Sequence, residues 1–297
     1  MAHSPTKFLT TRQLARLWLV SEATIKRWAD TGQLNSARTA GGHRRFPLPE
    51  VLRFQAERSL GAGAASVGVG SASATATDAA RFVETFDADE AAGHFFDAVV
   101  RGRSAEASSL LLEAHLRGAS AAVLFDRVVA AALRRVGDAW HAHEMSVAEE
   151  HVATSTATRA VETLAASTRR AGAHVGAAVC CAAEGEMHTL GVLCAQAALE
   201  AAGWDVRNLG GHTPFFALAE YVARHRPALV CVSSTMQWEL EHNARDYAQL
   251  AQAALACGAR VVLGGEGFRG KAVRARFPAD LYAEGVGDLA EFLRRPE

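Results

Sequence analysis

Apolar residues recur along this chain in two rhythms, and the change from one to the other divides it. Over Phe82 to Val100, Ser104 to Leu116, Ala119 to Val136 and Ser146 to Ser167 they return every three or four positions, the spacing that lines one face of a helix. Gly102, Gly118 and Gly137 punctuate the run. Four helices with short joints predict a four-helix bundle. From His174 onward the short β-rich runs VGAAVCCAA, DVRNLG, ALVCVSS, RVVLGG and LYAEG alternate with stretches of helical length at 190–202, 214–226, 239–257 and 268–277. Such alternation predicts a Rossmann-like, doubly wound parallel sheet of five strands, which takes ligands at the carboxyl ends of its strands beside the switch point.

A third pattern precedes both. Thr10 with Gln13 three residues on forms a capping box that opens a helix, and Leu14 and Leu17 face inward. Ser21 caps a second helix in which Ile25 and Trp28 point to the core while Thr24, Lys26 and Arg27 project outward; Gly32 ends it. This is a helix-turn-helix with a charged recognition face. Asn35 to Phe46 is rich in turn formers and Arg, and Gly41-Gly42 permits a tight hairpin wing that carries Arg38, His43, Arg44 and Arg45 to phosphates. Residues 61–79, almost all Gly, Ala, Ser, Thr and Val, bury too little to order themselves and predict a flexible linker. The expected organisation is multidomain, α and α/β: a winged helix-turn-helix over 1–60, the linker, a bundle over 80–170 and the sheet domain over 171–297.

Charge sharpens this division. The net charge of −1 hides ten basic residues against four acidic ones through residue 60, an excess of +6 that leaves about −7 on the remainder. A basic head on an acidic body points to a polyanion partner for the head, double-stranded DNA in a winged helix-turn-helix. No stretch approaches the apolar length of a membrane span, and MAHSPTKFLTTRQ lacks the hydrophobic block of a secretory signal, so a cytoplasmic protein without a membrane partner is expected. The five cysteines begin only at Cys180 and have neither zinc nor disulfide spacing; reduced, buried thiols are expected.

The head resembles the DNA-binding domains of the MerR family through Thr24-Ile25-Lys26-Arg27-Trp28 and then Gly41-Gly42-His43-Arg44-Arg45-Phe46. Metal sensing of the MerR kind is disfavoured, because no cysteine in the head or bundle supplies a soft ligand.

The chemistry lies further on. Glu186-Met187-His188-Thr189-Leu190-Gly191 stands at the end of the first predicted strand, directly before a helix. There the imidazole of His188 is placed to coordinate a metal, Glu186 can accept a hydrogen bond from its other nitrogen and fix the tautomer, and Gly191 leaves room for a ligand. The segment resembles the E/D-x-H-x-x-G signature of cobalamin-binding domains, which implies His188 as lower axial cobalt ligand. Ser233-Ser234-Thr235 after the third strand and Gly264-Gly265 after the fourth match the places where such domains lodge the cofactor's nucleotide tail, although Ser-Thr-Met stands where many relatives have Ser-x-Leu.

Within the bundle, Trp140, Val147 and Glu150-His151 resemble the pattern of CarH/LitR-type light-responsive regulators. That resemblance implies a roof over the upper face of adenosylcobalamin, with Trp140 and Val147 as apolar wall and Glu150 as acceptor. It also implies that His141 binds cobalt once light has removed the adenosyl group. Trp140 is also open to ordinary core packing, and His141 and His143 to exposure at a helix joint.

The function expected from these resemblances is a non-enzymatic, light-responsive regulator, a repressor that holds adenosylcobalamin, forms a tetramer on DNA in the dark and leaves it after photolysis. A light-independent cobalamin sensor and a corrinoid carrier of a methyltransferase system are the rivals, and an additional chromophore is left open.

Overall fold

The computed structural model describes residues 8–18, 20–39, 41–58, 86–169, 174–235 and 240–294. Two compact units result, Met1–Thr168 and Arg169–Glu297. The expected linker at 61–79 lies outside the described residues, as does the start of the first bundle helix at Phe82.

In the first unit, strand β1 (Phe8–Thr10) leads into α1 (Thr11–Leu17) through the Thr10–Gln13 capping box. Ser21 caps α2 (Glu22–Asp30) by accepting the Thr24 N–H at 3.1 Å, and the turn closes with Gly32 at φ +72°. Strands β2 (Ala37–Arg38) and β3 (Arg44–Pro47) pair antiparallel as the wing, and β1 adds to the other edge of β3, a third strand that periodicity did not announce. Helix α3 (Leu48–Arg58) completes the head. Trp18, Trp28 and Phe54 meet with ring centroids 5.0–6.1 Å apart over buried Leu14, Ile25, Leu34, Phe46 and Val51. Trp18 keeps its indole N–H satisfied by donating to Gln55 at 3.0 Å.

Four bundle segments follow. Asp87 caps α4 (Ala88–Val100), and α5 (Ser104–Leu116) runs between the glycines that were expected to bound it. The third segment is composite: α6 (Ala121–Val123), a π-helical stretch Leu124–Val129 and α7 (Ala130–His141) succeed one another without a break. The stop expected at Gly137 does not occur. Gly137 lies inside α7 with open space around it, where a glycine weakens a helix without ending it. Helix α8 (Val147–Thr168) closes the bundle, and α3 of the head lies against α5 and α8. A cavity of roughly 800 Å³ opens along that contact, edged by Arg53, Ser108, Arg159, Glu162 and Thr163.

The second unit is the expected sheet. Strands β4 (Ala177–Ala182), β5 (Asp205–Asn208), β6 (Leu229–Ser233), β7 (Arg260–Gly264) and β8 (Leu281–Ala283) are all parallel, in the order β5-β4-β6-β7-β8. Successive side chains of a strand point to opposite faces, and β4 shows the consequence. Val179, Cys181 and Ala183 enter one core with Phe215, Tyr247 and Phe277, under α10 (Phe215–His225) and α11 (Leu240–Cys257). Ala178, Cys180 and Ala182 enter the other with Val192, Leu199, Trp204 and Leu289, under α9 (Leu190–Ala201) and α13 (Val286–Phe292). Helix α12 (Lys271–Arg276) precedes β8. The chain leaves β4 to one side for β5 and to the other for β6, so the switch point lies where the loops after β4 and β6 diverge. Among the described residues no helix is long and apolar enough to cross a membrane.

All five cysteines are free; four are buried, and burial pushes the Cys181 thiol up to about 12. The thiolate is the reactive form, so the buried Cys181 is inert while the sheet is folded. Thiol titration of the native protein should modify the partly exposed Cys257 first and reach all five only in denaturant. Rapid native modification of several thiols would contradict this packing.

Candidate functional site

The site starts from one carboxylate. Gly185 at φ +80° turns the chain out of β4, and Glu186 comes to lie inside the protein with no exposed surface. Buried charge of this kind persists only when each oxygen is satisfied, and here both are. Oε1 accepts the His188 backbone N–H at 2.8 Å and the His188 ring Nδ1–H at 2.6 Å. Oε2 accepts the Thr235 backbone N–H and the Thr235 hydroxyl, each at 2.6 Å. Burial by itself raises the Glu186 pKa, but the Thr235 hydroxyl, the His188 and Thr235 amides and the His188 ring together outweigh it and hold the carboxyl below its ordinary value.

The arrangement determines the chemistry of His188. A carboxylate can only accept, so Nδ1 carries a proton, and in the neutral ring Nε2 then keeps its lone pair. The side chain is 68% exposed, which leaves that lone pair accessible at the switch point. Thr235, whose hydroxyl also lies 3.4 Å from Nδ1, belongs to the Ser233-Ser234-Thr235 loop expected to lodge the nucleotide tail, and its bonds to Glu186 were not expected.

Glycines shape the neighbouring rim. A Cβ on Gly191 would stand 3.2 Å from the Ser233 hydroxyl, and one on Gly265 would stand 2.3 Å from the carbonyl oxygen of buried Ser234. Gly265 also sits at φ +93°, and Gly264 accepts the Ser234 N–H at 3.0 Å, so the ends of β6 and β7 interlock here. Among the described residues no group of three or more His, Cys, Asp or Glu side chains is arranged to hold a bare metal ion. A single oriented imidazole beside loops pared of side chains instead fits a metal already held in a large ring, and the residues present therefore fit a corrinoid.

The bundle residues are also exposed. Trp140, the residue before the end of α7, is 41% exposed and so is not core packing; its ring lies 4.7 Å from that of His141, which is exposed as well. Val147 at the start of α8 is exposed, while half-buried Glu150 accepts the Thr154 hydroxyl at 2.7 Å and stands 3.6 Å from His151. His143, at φ +59°, turns the chain between the two helices.

In the head, Lys26 and Arg27 on α2 and Arg38 and His43 on the wing are exposed, and the Thr24 hydroxyl pairs with Ser21 at 2.9 Å. Arg44 departs from expectation. Its guanidinium does not reach outward but pairs with Asp30 and donates to the Lys26 carbonyl at 2.8 Å, because the last turn of α2 offers an acidic residue and a carbonyl within its reach. That pairing lowers the Asp30 pKa and ties wing to recognition helix. Arg45 is half-buried and donates to the Arg44 carbonyl at 3.3 Å.

Comparison with known proteins agrees with this division. Residues 176–292 match the B12 binding domain, residues 92–165 match a second B12 binding domain model, and residues 8–59 match a helix-turn-helix domain. No curated protein matches the chain. Among solved structures it is similar to the monomethylamine corrinoid protein of Methanosarcina barkeri, at 22% identity over 67% of this chain and 94% of that one with a TM-score of 0.57. Weaker likenesses are to a methanol:cobalamin methyltransferase complex of the same organism (19% identity, 75% and 84% covered, TM-score 0.35) and to a cobalamin-binding protein of Desulfitobacterium hafniense (19%, 70% and 98%, TM-score 0.36). The structural likeness is one of fold. The domain matches support a cobalamin-type cofactor and a helix-turn-helix on the same chain.

Two variants test the site without cofactor. A carboxyl whose folded pKa is depressed stabilises in full above its unfolded value, and the contribution is lost as pH falls through the folded one. Glu186→Gln apoprotein should therefore lose about 1–3 kcal/mol in urea unfolding at pH 7. The gap should narrow as pH falls below the ordinary carboxylate range; a gap indifferent to pH would mean that Glu186 is not ionised in the fold. Gly265→Ala should cost about 2 kcal/mol or more through its disfavoured φ and its contact with the Ser234 carbonyl.

Proposed function

We propose that this chain is a light-responsive transcriptional regulator, a repressor rather than an enzyme, that holds adenosylcobalamin, gathers as a tetramer on DNA in the dark and leaves it on illumination. The observation that carries the reading is the Glu186–His188–Thr235 arrangement on a chain that also bears a helix-turn-helix with exposed Lys26 and Arg27.

When bound, adenosylcobalamin supplies a cobalt–carbon bond that light cleaves. His188 would hold the metal through Nε2, with Glu186 keeping the proton on the other ring nitrogen. Ser233, Ser234, Gly264 and Gly265 would receive the nucleotide tail at the interlocked ends of β6 and β7, and Gly191 would leave room for the ligand. Trp140 and Val147 would offer apolar surface to the adenosyl group, Glu150 and His151 polar partners, and His141 would be available as a second imidazole ligand. Helix α8 carries Glu150 and His151 in its first turns and meets α3 of the head along its later ones, so one rigid element spans both. Several linked heads raise affinity for an operator through effective concentration, and dispersing them lowers it.

The corrinoid protein to which the fold is similar raises the carrier reading, but a carrier has no use for Lys26, Arg27 and Arg38 displayed on a winged head. Reconstitution with adenosylcobalamin in the dark should yield a base-off/His-on spectrum and a mass near four chains, and green light should change both. His188→Ala should lack the His-on spectrum. Unchanged spectrum and mass after light would leave a light-independent sensor. Arg38→Ala should weaken operator binding and reduce the slope of log affinity against log salt by about 1; no DNA binding by the parent chain would favour the carrier.

A further inference from the structure

The turn that presents Glu186 and His188 is held from both sides. On the β6 side Thr235 grips the Glu186 carboxylate, as described. On the β5 side the chain returns along Leu209 to Thr213: Gly210 accepts the Ala182 N–H at 2.8 Å, and Thr213 donates its N–H to the Ala182 carbonyl at 3.0 Å. Between these two fixed points stands His212, in the left-handed region at φ +50°, where a residue with a side chain is uncommon and costs free energy. Its backbone N–H donates to the Glu186 carbonyl at 2.9 Å, and its ring Nδ1 accepts the Gly185 N–H at 2.8 Å. One residue thus satisfies a backbone donor and a backbone acceptor of the turn. Gly211 beside it is in tight quarters, since a Cβ would stand 3.1 Å from the same Glu186 carbonyl and 3.2 Å from the Thr189 methyl.

We infer that His212 is a positioning residue for the cobalt-binding loop: it clamps Gly185 and Glu186 so that the His188 imidazole is presented at one angle. The inference rests on the reading of His188 as the cobalt ligand. The chemistry is specific. Accepting at Nδ1 requires that atom to be unprotonated, so the ring is a neutral imidazole with its proton on Nε2. An Asn side chain places a carbonyl oxygen where Nδ1 lies and tolerates the left-handed backbone, whereas Gly relieves the backbone and removes the acceptor.

The test compares full-length His212→Asn, His212→Gly and His188→Ala with the parent chain, using adenosylcobalamin in the dark as probe. His212→Asn should retain the His-on spectrum and bind within about twofold of the parent. His212→Gly should fold, by circular dichroism, but bind about tenfold more weakly with part of the His-on signature lost. In the apoprotein, hydrogen exchange at the Gly185 amide should quicken in His212→Gly and not in His212→Asn. Parent-like affinity and spectrum in His212→Gly, with the signature lost in His188→Ala, would overturn the clamp and leave the cobalt reading standing. Equal losses in the Asn and Gly variants would overturn the acceptor role, and an intact His-on spectrum in His188→Ala would remove the reading beneath both.

Discussion

A carboxylate without solvent must be neutralised, protonated or surrounded by donors, and Glu186 takes the third course. Four donors from two segments converge on its two oxygens, two of them from His188 and two from Thr235. The loops after β4 and β6, which the topology sends apart, are thereby stitched together at the point of divergence. Removing the charge would leave both loops without their common anchor and His188 without a preferred tautomer. The glycine cradle and the β5-side clamp are arranged around that anchor.

The rest of the sheet domain supports this point at a distance. Strict alternation along β4 sends Val179 and Cys181 to one core and Cys180 and Ala182 to the other, and both faces are then covered by helices. A strand buried on both faces has no freedom of register, because a slip of one residue would exchange its two cores. The position of Ala182, and of the turn that follows, is therefore set by packing before any polar contact is made. The head is stabilised on a different principle: an aromatic group of Trp18, Trp28 and Phe54 fills a small core, and Arg44 spends its charge on Asp30 to hold the wing against α2.

Much of this was legible beforehand, because it depends on patterns local in sequence. The capping box at Thr10, the Ser21 cap and the five strands follow from periodicity and from side chains that bond their own backbone. Glu186 and His188 are two residues apart, so their pairing was legible too. What escaped was non-local or graded. Strand β1 is three residues long and is defined only by its partner β3, and Thr235 meets Glu186 across 49 positions. His212 gave one signal in hindsight, the Gly210-Gly211 pair before it, which marks a backbone pressed against a neighbour. Gly137 misled because a glycine in a helix is a cost, not a stop. Arg44 misled because composition counts charges and cannot see which of them an acidic neighbour has already taken.

The π-helical stretch at Leu124–Val129 bears on the bundle. Wider turns there take up one residue more than an α-helix would, so everything downstream is rotated by about 100° relative to an unbroken helix. Trp140 and His141 sit roughly three turns beyond it. Their compass bearing around the helix axis is thus decided not by the residues near them but by an irregularity well upstream. A one-residue deletion that restored regular α-helical turns there would leave the indole on the side it now faces, whereas regularising the stretch at full length would swing it to another side of the bundle.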